Sequence, residues 1–266
     1  MDNKVFKEKC FLVGQYDKNW PHLTVCETCT FAARLFGTAG DISTIVSEVI
    51  DEVVGLTSVS NSRNSSLSGG QQRRLSLAIA LLKQPEVLFL DEVTSGLDSA
   101  SAEKVCNALR QIVDEKNIMV ICTIHQPSTR IFLECFDELI LMSKGRIAYS
   151  GGTRNAKDYF AKLGHSIPAM TNPAEYYMEL VNSDFGGDEA VNEILDAWTK
   201  GDDGFEDEEG QDHSLRRHGD TGLPHSELFS KPSLMKETQI ILQRQFKMAC
   251  RDVSNHTTCC LLDLKS

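Results

Sequence analysis

Leu67-Ser68-Gly69-Gly70-Gln71 and, a little further on, Val87-Leu88-Phe89-Leu90-Asp91-Glu92 decide how this chain folds. The first stretch opens an apolar helix. Its paired glycines let the backbone approach an anion, and the free N–H groups and positive dipole end of a helix start point at whatever sits there. The second is a short apolar run with the character of a buried strand, ending in two adjacent carboxylates. In parallel α/β sheets ligands gather at the carboxyl ends of the strands. One acid there suits a magnesium ion held partly through water, and its neighbour suits the orientation of an attacking water.

Working outward, the same alternation continues. A helix is predicted over residues 99–115, with Val105, Leu109 and Ile112 on one face. Ile118 to Ile124 read as a second β-rich buried run, ending at His125. Residues 138–142 and 146–149 flank Lys144-Gly145 and read as a hairpin, and further helices are predicted over 153–163 and 173–181. Asn172-Pro173 supplies the N-cap and first-turn proline of the last of these. Upstream, Lys9 to Gly14 reads as a strand feeding Gln15. Thr24-Val25-Cys26-Glu27 is a capping box for a helix to about Phe36, and Ile42, Ile45, Val46, Val49 and Val53 repeat at helical spacing before Gly55. Strands alternating with helices imply an α/β fold around a largely parallel sheet.

These motifs together resemble the ATP-binding domain of ABC transporters: Leu-Ser-Gly-Gly-Gln, then Leu-Phe-Leu-Asp-Glu, then Ser95-Gly96-Leu97-Asp98. Other stretches are similar to the G subfamily, the White and pleiotropic-drug-resistance type. They include Pro21-His22-Leu23-Thr24-Val25, Thr123-Ile124-His125-Gln126-Pro127-Ser128 and Asn172-Pro173-Ala174-Glu175-Tyr176-Tyr177. The similarity runs from residue 9 to about 182. It implies a P-loop-NTPase-like α/β domain with a helical subdomain between Gln15 and Ser68.

The resemblance also implies a set of site residues. Ser68, Gly69, Gly70 and Gln71 would meet the γ-phosphate of ATP held mainly by a second ABC ATPase domain, in a homo- or heterodimer. Asp91 and Gln15 would serve Mg2+, Glu92 would be the general base and His125 would sense the γ-phosphate. Asp98 would link the two ATP sites, and its side chain equally suits an N-cap for the following helix. Arg73 and Arg74 read as a solvated helix face. No Gly-x-x-x-x-Gly-Lys-Ser/Thr phosphate loop occurs in the 266 residues, so the domain is expected to lack its N-terminal part, and two functions stay open. One is an ATP-hydrolysing domain that drives transmembrane transport. The other is a non-catalytic partner that lends its Leu-Ser-Gly-Gly-Gln turn to another subunit's ATP site.

Composition sets further bounds. The net charge of −11 is concentrated in residues 184–212, where twelve acids face one base, Lys200; the remainder holds 26 bases and 26 acids. A body of balanced charge gives no electrostatic reason to expect nucleic acid. The acidic stretch defines the expected division: 1–183 partial ATPase domain, 184–232 flexible acidic linker, 233–266 amphipathic connecting helix toward a transmembrane domain outside this chain. In that last segment Leu234, Ile241, Leu242, Phe246 and Ala249 line one side and Lys236, Arg244, Lys247 and Arg251 lie elsewhere, a pattern suited to a membrane surface. The expected location is the cytosolic face of a membrane. No run reaches eighteen apolar residues, the first residues lack a signal-peptide pattern, and nine scattered cysteines fit a reducing compartment. Cys26 and Cys29 lack the second ligand pair a tetrahedral zinc site needs.

Overall fold

The computed structural model describes residues 6, 9–15, 19–200 and 232–251, without the side chains of 249 and 250. The chain divides into two compact units, Met1–His125 with Leu223–Ser266, and Gln126–Gly222.

The first unit is built on three parallel strands in the order β1 (Cys10–Val13), β2 (Val87–Leu90), β3 (Met119–Cys122). The register places Val13, Leu90 and Cys122 in one row and Phe11, Leu88 and Val120 in another. Side chains alternate between faces along a strand, so these rows share one face, and it packs into the core. The opposite face carries Leu12, Phe89 and Ile121 in register, with Met119 beside Val87. That face stays largely open: Leu12 is 67% exposed, Met119 51% and Ile121 45%. The expectation of a buried run over 118–124 is therefore corrected, because among the described residues only one side of the sheet is thoroughly covered.

Helices supply the rest of this core. Helix α1 (Val25–Phe36) has both bonds of the predicted capping box, Glu27 N–H to Thr24 Oγ1 at 3.2 Å and Thr24 N–H to Glu27 Oε2 at 3.0 Å. Gly37, at φ +71, closes it in the left-handed conformation that glycine adopts without steric cost. Helix α2 (Ile42–Glu48) continues into a π-helical turn, Val49–Val53, ending before Gly55. Helix α3 (Gly69–Leu82) sinks Leu75, Leu77, Ala78, Ala80, Leu81 and Leu82 into the core, and α4 (Ser99–Lys116) adds Val105, Leu109 and Ile112. Cys29 of α1 is buried, which pushes its thiol up to about 12, so it stays neutral.

Helix α9 (Leu234–Arg251) also packs against α1, by a route that differs from the expected one. Three of its bases turn inward. Arg251 forms a two-pronged ion pair with Glu27, the second prong at 2.9 Å, and Lys247 joins the same carboxylate. The Arg244 guanidinium lies over the Trp20 ring, 4.5 Å from its centroid. Leu234, Met235, Leu242 and Phe246 are its exposed large apolar side chains, and Lys236 is exposed as well; the side chain of Ala249 lies outside the described residues. Bases expected to be available to anionic lipid are thus largely committed within the protein.

Burial alone would raise the Glu27 carboxyl. Hydrogen bonds from Arg251, Lys247 and the Thr24 N–H outweigh it and bring the pKa down to about 2 from 4.5. A depressed carboxylate pKa stabilises docking fully above the free value and loses that contribution as pH falls from 4.5 through about 2. In a Trp198→Phe background, Trp20 fluorescence is expected to change over that window. The Glu27→Gln variant should show the released signal already at pH 7. Identical spectra at pH 7 for the two proteins would contradict the latch.

The second unit has its own aromatic core. Strands β4 (Glu138–Ser143) and β5 (Arg146–Gly152) form the predicted antiparallel hairpin. Helices α5 (Thr129–Cys135), α6 (Ala156–Lys162), α7 (Pro173–Leu180) and α8 (Ser183–Thr199) complete it. Tyr149, Tyr159, Phe160 and Trp198 meet with ring centroids 5.1–5.9 Å apart, and Phe160 stacks on Tyr177 at 4.8 Å. Helix α5 is additional to the expected elements. Helix α8 occupies the start of the expected acidic linker and extends well beyond the one or two helical turns expected over 190–198. It bends at Gly187 (φ +79), buries Val191, Ile194 and Leu195, and places Asp188 and Asp196 against Lys144 and Arg146 of the hairpin. Residues 201–231, the rest of that expected linker, and 252–266 lie outside the described residues.

Candidate functional site at the carboxyl edge of the sheet

Three parallel strands end at the same edge, so Gln15, Asp91, Glu92 and Thr123 arrive together. The Gln15 side-chain amide donates to Glu92 Oε2 at 2.5 Å. Glu92 sits at φ +46, in the left-handed region that is costly for a residue with a Cβ. Its N–H donates to Thr123 Oγ1 at 2.7 Å, and the same hydroxyl donates to Asp91 Oδ1 at 2.8 Å. Asp91 and Thr123 are exposed and Glu92 is half-buried.

The turn is held from below by Arg73 of α3. This side chain is only 3% exposed, and its guanidinium donates to the carbonyls of Gly14 at 2.7 Å, Asp91 at 2.7 Å and Val93 at 3.2 Å. It therefore ties the ends of β1 and β2 to the helix. The expectation of a solvated face for Arg73 and Arg74 is corrected, since Arg74 likewise donates to the carbonyls of Val54 and Gly55. The pattern did carry the information. Arg73 lies three residues after buried Gly70 and four before buried Leu77, on the apolar stripe of the helix.

At the start of α3, Ser68 and Gln71 form a capping box. Ser68 Oγ accepts the Gln71 N–H at 3.4 Å and Gln71 Oε1 accepts the Ser68 N–H at 2.9 Å. The first intrahelical bond runs from Gln72 N–H to Ser68 O, which leaves the N–H groups of Gly69 and Gly70 ahead of it. Gly69 is exposed. Gly70 is buried, and a Cβ there would come within 2.8 Å of Ser101 Cβ. Its lack of a side chain is demanded by the close approach of α3 to α4. Asp98 caps α4, accepting the Ser101 N–H at 2.9 Å and the Ser101 hydroxyl at 2.7 Å. These bonds hold its carboxyl below the usual range. Asp98, Ser101 and Gly70 thus join the two helix starts. His125 is exposed, three residues past the end of β3.

The donors present suit Mg2+ with a nucleotide better than a protein-caged metal. No cluster of three or more ligating groups occurs among the described residues. Mg2+ commonly takes one or two carboxylates and completes its shell with water and substrate phosphate, and Asp91 offers an exposed carboxylate whose Oδ1 alone is engaged.

Comparison with known proteins agrees with this geometry. Residues 1–95 match the family model described as ABC transporter, which contains β1 through β2 and both acids. The chain is an ABC-type ATP-binding domain of the G subfamily. It is 40% identical over 174 residues to ABC transporter G family member 4 of Arabidopsis thaliana, covering 64% of this chain and 30% of that protein. Over 218 residues it is 37% identical to G family member 22 of the same plant, covering 79% of this chain and 29% of the relative. With G family member 1 of Dictyostelium discoideum the identity is 35% over 193 residues, 68% of this chain and 24% of the relative. This ABC domain thus spans less than a third of the length of these relatives. Residues 125–190 match a model described as ABC-2 type transporter. They form the hairpin and α5 to α8 up to Ala190, and no helix among the described residues is long and apolar enough to cross a membrane.

Proposed function

We propose that this ABC domain binds ATP with Mg2+, takes part in its hydrolysis, and couples that reaction to transport across a membrane. The observation that carries the reading is the junction of Gln15, Asp91 and Glu92 at the carboxyl edge of a parallel sheet. In it Asp91, with Gln15, holds the magnesium side of the nucleotide. Bound Mg2+ supplies charge neutralisation for the phosphates. Glu92 Oε2 is occupied by the Gln15 amide, so Oε1 is the atom that takes a proton from the attacking water. His125, on the segment after β3, contacts the γ-phosphate.

Ser68, Gly69 and Gly70 serve a second nucleotide, held by a partner ABC domain that closes head to tail on this one. Their support is the exposed helix start, with its early N–H groups and positive dipole end. Asp98, bonded to the serine that packs on Gly70, ties the two regions together. Helix α9 presents Leu234, Met235, Leu242 and Phe246 toward the membrane boundary or a transmembrane partner.

The test is to mix the purified chain with a G-subfamily ATP-binding domain that carries a Gly-x-x-x-x-Gly-Lys-Ser/Thr loop, and to measure phosphate release. The mixture should hydrolyse ATP faster than either component, and Ser68→Arg in this chain should remove the gain. A mixture no faster than the partner alone, or a gain indifferent to Ser68→Arg, would overturn the pairing.

A further inference from the structure

The resemblance assigns roles to Asp91 and Glu92 and none to Thr123. From the geometry we infer that Thr123 is the positioning residue of the acidic pair, its hydroxyl fixing both the Glu92 backbone and the Asp91 carboxylate. The inference rests on the reading of Asp91 and Glu92 as the magnesium and water residues.

A hydroxyl has one proton to give. Thr123 Oγ1 receives the Glu92 N–H at 2.7 Å, so its own proton goes outward, to Asp91 Oδ1 at 2.8 Å. That single proton turns Oδ1 toward β3 and leaves Oδ2 for a cation. The Thr123 backbone is locked as well. Its N–H donates to Leu90 O at 2.9 Å and its carbonyl accepts the Val93 N–H at 3.3 Å. The residue therefore contacts the turn at Leu90, Asp91, Glu92 and Val93, immediately around the left-handed Glu92. A strained residue persists where its surroundings over-determine it, and the acceptor for the Glu92 N–H is part of that surrounding. Serine could make the same bonds; valine, of nearly the same shape, could make neither.

Thr123 is exposed, so its variants are expected to fold. The test uses the full chain and two readouts that need no hydrolysis. The first is amide hydrogen exchange at Glu92. The second is broadening of the Asp91 amide resonance by Mn2+ alone. Thr123→Val should speed Glu92 exchange at least about tenfold and weaken the Mn2+ effect several-fold, while Thr123→Ser matches the parent chain in both. Unchanged exchange in Thr123→Val would overturn the inference. So would a Thr123→Ser variant that behaves like Thr123→Val, since that result assigns the effect to packing of the methyl group. If Mn2+ fails to broaden Asp91 in the parent chain, the cation reading of Asp91 falls, while the exchange measurement still decides Thr123.

Discussion

Arg73→Leu is expected to destabilise the first unit by about 3–5 kcal/mol, the largest stability loss of any single change considered. Leucine fits the apolar stripe of α3, so the cost does not come from lost packing. It comes from three buried or half-buried carbonyls, at Gly14, Asp91 and Val93, that lose a charged donor. Hydrogen bonds to charged groups contribute about 1.5–3 kcal/mol each and are not additive, which sets the range. Arg73→Lys should recover only part, because an ammonium cannot reproduce the fixed fork of a guanidinium. Urea unfolding of the three proteins, with equal m-values, measures the difference. A Leu variant within about 1 kcal/mol of the parent chain would show that water replaces the guanidinium without penalty.

The second large effect concerns Glu92. Residues 9–182, exchanged for the matching segment of G family member 4, place this chain's acids behind that transporter's own upstream sequence. In this chimera Glu92→Gln is expected to lower kcat by about 10²–10⁴, the usual contribution of a positioned general base. ATP affinity should change little, because the amide keeps the size of the carboxylate and can still meet Gln15. Asp91→Asn should instead raise the Mg2+ requirement. A Glu92→Gln chimera that turns over at the parent rate would place the base elsewhere, and the role of Gln15 as its orienting partner would fall with it.

Much of the first unit was legible in the sequence because its decisive residues act locally. The capping box at Thr24, the N-cap at Asp98 and the apolar run before Asp91 each encode a structure within four or five residues. What stayed hidden depends on partners far along the chain. Arg73 reads as a surface residue because a charge on an apolar stripe becomes intelligible only when three carbonyls converge on it. Thr123 is inconspicuous inside an apolar run, since its hydroxyl matters only against Asp91 and Glu92, more than thirty residues earlier. The full length of helix α8 is masked by acid content, which outweighs Val191, Ile194, Leu195 and Trp198 in composition but not in packing. For the site, Gln15, Asp91 and Glu92 meet as their order along the sheet edge implies. Gly70 carries a second demand that only the fold reveals: a Cβ there would meet Ser101 across the contact between α3 and α4.

The row of Leu12, Phe89 and Ile121, with Met119 at its side, has a consequence for the life of this polypeptide in a cell. Chaperones and degradation machinery distinguish finished from unfinished proteins by contiguous exposed apolar surface. A parallel sheet whose one apolar side looks outward among the described residues carries the mark of an unfinished product, even where its strands pair in register. How long such a chain survives is then set by how soon something settles on that side, and its abundance becomes a gauge of assembly more than of synthesis.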